Sequence, residues 1–191
     1  MLAKEMFYKK VRYLLILILI SITNNSFAEI KDKIIQNLED TTNISFNFEQ
    51  NINGKIENGN CVIQYPKKIY CKYELADQKI LVSNGNSLVI KTNTSYYLYP
   101  LDRTPLNLIL DKKFLVSKIK GLKERIIEEK FVNYKFFEKD NEINIFFDKK
   151  TASLIGWQTE DIYQNLTITF ISSTKINQNI NNNIFKLPRK D

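Results

Sequence analysis

Between Ile44 and Phe170 apolar side chains recur mostly at every second position, the period of a strand with one face turned to a core. Ile44, Phe46 and Phe48 open the series. Gly54 and Gly59 bracket a stretch read as turn-rich, after which Cys61, Ile63 and Tyr65 share one face. Pro66 with Lys67 and Lys68 reverses the chain, and Ile69, Cys71 and Tyr73 return with the same parity. The pattern predicts a hairpin whose apolar face carries odd-numbered residues. Strands are predicted next at 79–83, 87–91 and 96–99, with Asn84-Gly85-Asn86 as a turn, because Asn-Gly between apolar runs is a strong hairpin signal. Five more follow, at about 125–129, 134–139, 142–148, 154–160 and 165–172.

Two segments break this period. Ile30, Ile34, Ile35 and Leu38 have helical spacing and predict a short amphipathic helix ahead of the strands. Thr104-Pro105 offers a capping residue and a proline suited to a first helical turn, so a short apolar helix is predicted over Leu106, Leu108, Ile109 and Leu110. Many strands in succession, two helices and no βαβ rhythm place the chain in the mainly β (α+β) class. The architecture expected is a single curved antiparallel sheet wrapped around its helices.

The segment before Ile30 has a different character. Lys4, Lys9, Lys10 and Arg12 stand against one acidic residue, Glu5, and an unbroken apolar run from Leu14 to Ile20 follows. Ser26-Phe27-Ala28 puts small residues where a signal peptidase reads, so 1–28 is expected to be a cleaved signal peptide and 29–191 one domain. The apolar run is about half of the roughly 20 residues that cross a bilayer. The first residue after the cut is Glu29, not cysteine, which leaves no N-terminal lipid site. A soluble protein of the periplasm is expected.

Composition removes several classes of function. The chain has no histidine, which excludes Ser-His-Asp and Cys-His catalysis and histidine-bound zinc. Asp102, Asp111, Asp148, Glu160 and Asp161 fall where turns and strand ends carry solvated charge, and no two carboxylates have the spacing of an acid and a base. An enzyme is therefore not expected, nor any cofactor or metal. Removing four basic residues and one acidic residue with the signal takes the net charge from +7 to +4. That modest excess, with no basic stripe interleaved with aromatics, gives no reason to expect nucleic acid as a partner. Cys61 and Cys71 lie on the same face of the two hairpin arms at equal distance from Pro66, and in an oxidising compartment a disulfide is favoured over two buried thiols.

The ordered set of segments resembles the LolA-type periplasmic outer-membrane lipoprotein carrier family over nearly all of the part after the signal. Phe48-Glu49-Gln50 with Gly54 looks like the family's opening F-x-Q strand and glycine turn. The stretch from Gly59 to Tyr73 is similar to its proline hairpin. Ile80 through Pro100, ending at Thr104-Pro105-Leu106, resembles the approach to its lid helix. Leu154-Ile155-Gly156-Trp157, Leu166 to Phe170 and the closing Phe185-Lys186-Leu187-Pro188 complete the likeness. One departure is Tyr65, where the family usually has an arginine linked to lid closure. A phenol brings a hydrogen-bonding group there but no fixed charge.

The resemblance implies an incomplete β-barrel of about eleven strands, with an N-terminal helix and a short lid helix, enclosing an apolar cavity for acyl chains. It implies a monomeric carrier with acylated lipoproteins as cargo, an inner-membrane lipoprotein-releasing transporter as donor and an outer-membrane receptor as acceptor. A lipoprotein-sensing regulatory module of the envelope-stress response, or a carrier of another lipid, are the alternatives. Expected cavity residues are Phe46 and Phe48 in the first strand, and Ile63, Tyr65, Ile69 and Tyr73 in the hairpin. Leu81, Leu88, Tyr97 and Tyr99 follow, then Phe146 and Trp157, with Leu106, Leu108 and Ile109 on the lid helix. Ordinary core packing would use the same residues. The load of 12 Phe, 10 Tyr and one Trp favours a lipid surface collectively, since broad amphipathic rings tolerate varied ligands.

Overall fold

The computed structural model describes residues 25–138, 141–160 and 165–190. The basic and apolar segments of the predicted export signal, and Asp161, lie outside the described residues. Helix α1 (Asn25–Asp40) leads into strands β1 (Asn43–Ile52), β2 (Lys55–Gln64), β3 (Lys68–Tyr73), β4 (Ile80–Asn84), β5 (Ser87–Lys91) and β6 (Tyr96–Pro100). A 3-10 turn (Leu101–Arg103), helix α2 (Leu106–Leu110) and helix α3 (Lys112–Gly121) then connect to β7 (Arg125–Ile127). Strands β8 (Phe131–Glu138), β9 (Asn141–Asp148), β10 (Leu154–Glu160) and β11 (Leu166–Ile176) follow, and a final 3-10 turn spans Asn182–Phe185.

All the strands form one 11-stranded sheet in the order β6-β5-β4-β3-β2-β1-β11-β10-β9-β8-β7. Each neighbouring pair is antiparallel, and only the β1–β11 pair joins segments distant in sequence. The sheet does not close. Its edges, β6 and β7, are consecutive in the chain, so the segment that links them carries α2 and α3 across the gap. An incomplete β-barrel with a helical crossing results.

Local chemistry explains the strand ends. Asn53 and Gly54 have φ values of +48° and +90° and close the pair Ile52–Lys55, the two-residue turn that an Asn-Gly dipeptide favours. The stretch to Gly59 expected to be turn-rich is therefore strand, because this tight turn lets β2 begin at Lys55. Gly59 has a different use. It lies in register between Phe48 and Tyr73, and a Cβ there would meet the Lys72 carbonyl oxygen and the Phe48 ring. Without one, the two rings close over it edge to face, 5.0 Å apart.

The helices fill only one half of the concave face. Ile34 and Leu38 of α1 and Leu115, Val116 and Ile119 of α3 are buried in the same core as Val132, Tyr134, Phe136, Ile143, Ile145 and Phe147 of β8 and β9. Phe114 meets Phe136 at 5.9 Å. Lys120 pairs with Glu39 at 3.2 Å, and Lys112 Nζ donates to the Glu39 and Thr41 carbonyls, fastening α3 to α1. Helix α3 was absent from the sequence reading. Its four apolar residues are matched by four lysines, so its amphipathic signal is weak; Asp111, read as solvated surface, caps it by accepting from Phe114 N–H at 3.1 Å. Thr104, expected to cap α2, instead donates its hydroxyl to the Leu101 carbonyl at 2.8 Å and closes the preceding turn.

On the convex face Val82 and Val89 face each other in register and are buried, as is Phe185 of the C-terminal turn, which packs against β3 and β4. Tyr96 Oη donates to the Pro188 carbonyl at 3.2 Å and holds the tail down. Inside the main core one group has no partner: the Tyr134 hydroxyl is buried and makes no hydrogen bond among the described residues. Leaving such a group unsatisfied costs about 1–3 kcal/mol. Tyr134→Phe is accordingly expected to raise the unfolding free energy by about 1 kcal/mol and the Tm by about 2–4 °C. Thermal unfolding followed by circular dichroism checks this, and a lower Tm would show that the hydroxyl has a partner.

Candidate functional site

The half of the concave face that α1 and α3 leave uncovered is hollow. Strands β1 to β6, with one edge of β10 and β11, enclose a cavity of about 380 Å³, within the size range of small-ligand sites. Pairing register lays the concave face in and around it out in rows across the sheet, of which Ile69, Leu88, the disulfide, Leu81, Ile90 and Tyr97 line the cavity. The row nearest α2 is apolar: Ile44, Ile63, Ile69 and Leu88, with Ser83 between the last two. The next contains Phe46, the Cys61–Cys71 disulfide, Leu81, Ile90 and Tyr97. Phe48, Tyr73 and Trp157 continue the apolar wall, and Pro105 and Leu106 roof it from the α2 side.

Toward the β1–β2 turn the wall becomes polar. Gln50, Glu57, Lys55 and Lys79 line the cavity there, and Thr159, Glu160, Thr167 and Thr169 continue that wall on the adjoining strands β11 and β10. Glu57 is only 6% exposed and receives two cations, Lys79 at 2.6 Å and Lys55 at 2.9 Å. Burial pushes its carboxyl up, but the two lysine hydrogen bonds and their charges outweigh this and hold it below the usual carboxylate range. Lys79 also sits over the Tyr73 ring, 4.0 Å from its centroid. The Tyr73 hydroxyl donates to Gln50 Oε1, and Gln50 Nε2 donates to the Thr169 hydroxyl, both at 3.3 Å. Burial, then the nearby Glu57 charge, raises the Tyr73 phenol and keeps it protonated.

Eight of the expected cavity and lid residues line this space: Phe48, Ile69, Tyr73, Leu81, Leu88, Tyr97, Trp157 and Leu106. Phe46, Ile63 and Ile109 are buried in the adjoining core, with Tyr99 and Leu108 packed against it. Phe146 is placed elsewhere. Ile143, Ile145 and Phe147 take the concave side of β9, which turns Phe146 to the convex side, in register with Gly156 and Asn133. Tyr65 faces a separate small cavity of about 120 Å³ beside Leu38, Ile44 and Leu154. Lys112 stands over its ring at 5.8 Å, and burial raises its phenol to about 12. The contacts that tie α2 to the hairpin belong to the residue after Pro66: Lys67 N–H donates to the Leu110 carbonyl at 3.0 Å, and its ammonium pairs with Asp111 at 3.4 Å.

Cys61 and Cys71 are directly paired in register and disulfide-bonded. No group of residues suited to holding a metal occurs among the described residues, and no described helix is long and apolar enough to cross a membrane. The polar wall was missed by the sequence reading, although parity reveals it. Gln50 continues the even-numbered face of Phe46 and Phe48, and Lys55 and Glu57 continue the odd-numbered face of Cys61 and Ile63.

The sequence profile described as "Outer membrane lipoprotein carrier protein LolA" matches residues 39–188. The chain belongs to the LolA family. That stretch begins at the end of α1 and takes in every strand, the α2–α3 crossing and the C-terminal turn. Among solved structures, a LolA superfamily protein from Nitrosomonas europaea is similar at 8% identity, covering 84% of this chain and 97% of that one, with a TM-score of 0.44. The lipoprotein LppX of Mycobacterium tuberculosis is similar at 8% identity over 83% of this chain and 100% of its own, with a TM-score of 0.45. LprF of Mycobacterium bovis shares 10% identity over 76% and 91%, with a TM-score of 0.41. No curated protein sequence matches this LolA family member.

Proposed function

We propose that this chain is a periplasmic carrier, exported by the segment 1–28, that takes lipoproteins by their acyl chains into the cavity and moves them from the inner to the outer membrane. The observation that carries this reading is the hollow half of the sheet, apolar across Ile69, Leu81, Leu88, Ile90 and Tyr97 and roofed by Pro105 and Leu106. An exposed acyl chain loses about 0.8 kcal/mol per CH₂ in water, so crossing an aqueous space needs a protein that replaces those contacts. A cavity with one movable wall does this reversibly. The short helix α2, tethered at Lys67 and Asp111, is the natural moving part. Membership of the LolA family supports the same reading.

On this proposal the chain works as a monomer and catalyses no reaction. It receives cargo from an inner-membrane lipoprotein-releasing transporter and delivers it to an outer-membrane receptor. Purified protein mixed with a triacylated lipoprotein is expected to form a soluble one-to-one complex on size-exclusion chromatography. The same lipoprotein stripped of its acyl groups should elute separately. Equal binding of the two forms would sink the proposal.

A further inference from the structure

The polar end of the cavity is more elaborate than an acyl site requires. Hydrocarbon needs only apolar walls, and buried polar groups are costly unless hydrogen-bonded. Here Thr159, Thr167 and Thr169 are buried, Glu57 is almost fully covered, and Lys79 retains only 18% of its exposure. All line one end of the same cavity, on the side away from α2. On β2 the lining runs from Lys55 to Cys61, about 20 Å at roughly 3.4 Å per residue, so the two ends are separated.

The free hydrogen-bonding capacity at this end is mainly that of donors. Glu57 is taken up by two lysines. Of the three N–H bonds of Lys79, one points to Glu57 and one to the Tyr73 ring, which leaves a third. The Thr159 and Thr169 hydroxyls add rotatable O–H groups on the adjoining strands β10 and β11, while the Thr167 hydroxyl is engaged with the Asn165 carbonyl, and Glu160 adds an acceptor suited to a hydroxyl. Such a set matches carbonyl oxygens that lie next to hydrocarbon, as in an ester-linked glyceryl group.

We infer that the cavity reads the ester-linked glyceryl end of its cargo as well as its acyl chains, holding the carbonyl oxygens against Lys79 and the threonine wall with the chains running toward Leu106. The inference rests on the acyl-carrier reading and adds to it an orientation and a chemical class. Hydrogen bonds from a charged donor in a screened site contribute about 1.5–3 kcal/mol, so loss of the carbonyls is expected to weaken binding by about tenfold or more.

Displacement of dansyl-undecanoic acid from the full chain by 1,2-dioctanoylglycerol and by its ether analogue 1,2-dioctylglycerol tests this. The two ligands differ only in their carbonyl groups. The ester should bind about tenfold more tightly to the wild type. That preference should shrink to less than threefold in Lys79→Met and in the double variant Thr159→Val, Thr169→Val, whose near-isosteric valines preserve the strands. Equal displacement by ester and ether in the wild type overturns the inference but leaves acyl binding intact, as does an undiminished preference in both variants. If neither glyceride displaces the probe, the acyl-carrier reading falls and this inference with it.

Discussion

Leu106→Asp is expected to weaken acyl-chain binding by about 100-fold while leaving the far-ultraviolet circular dichroism unchanged. Leu106 lines the cavity from α2 and is half-buried, so the folded chain without cargo can leave a carboxylate there hydrated. With cargo bound, that carboxylate must give up water to face hydrocarbon, at a cost of several kcal/mol when desolvation is complete. Partial exposure reduces the penalty to about 3 kcal/mol, which corresponds to the 100-fold loss. Leu106→Met, which keeps volume and apolarity, should stay within about threefold of the wild type. Titration of a fluorescent fatty acid against the three proteins measures the difference. Unaltered affinity in a folded Leu106→Asp variant would remove α2 from the binding mechanism.

Replacing both Cys61 and Cys71 by alanine is expected to lower the unfolding free energy by about 3 kcal/mol and the Tm by about 6–12 °C. The cysteines are 10 positions apart, and closing a loop of that length restricts the unfolded chain by about this amount. Their strands remain paired from Gly59–Tyr73 to Gln64–Lys68, so the native fold should persist. Urea unfolding of the oxidised wild type and the double variant gives the comparison. A difference below about 0.5 kcal/mol would show that the unfolded chain is already held compact by other means.

Much of the fold is legible in the sequence because alternation is a local property. The parity of Ile63, Cys61, Ile69 and Cys71 located the hairpin and its inward face, and the symmetry about Pro66 pointed to the disulfide that β2 and β3 bring into register. Adjacent apolar residues defeat the same reasoning. Phe146 and Phe147 are consecutive, either parity suits an isolated strand, and only pairing with β8 and β10 turns Phe147 inward. In β10 a register shift between Leu154 and Gly156 brings Leu154 and Trp157 into the same core despite their spacing of three. Tyr65 has the parity of the hairpin but leaves its strand at Gln64, and it ends beneath Lys112 in the smaller cavity. Lysine-rich α3 has too weak a periodic stripe to declare itself, and its place is decided by contacts with Glu39, Thr41 and Phe136.

By itself the sequence determined the strand succession, the antiparallel hairpins, the facing of Cys61 and Cys71 across one hairpin and the kinship with lipoprotein carriers, all of which follow from neighbouring residues or ordered motifs. Only the tertiary structure decided which half of the sheet the helices fill and which they leave hollow. It also decided that Glu57, Lys79 and the threonines of β10 and β11 meet at one end of that hollow. Periodicity says which face of a strand turns inward, but what covers that face depends on contacts between segments far apart in the chain, such as Lys112 with Glu39 and Lys67 with Leu110. A buried surface and a lipid-sized hollow have the same alternation; they differ in what packs against them.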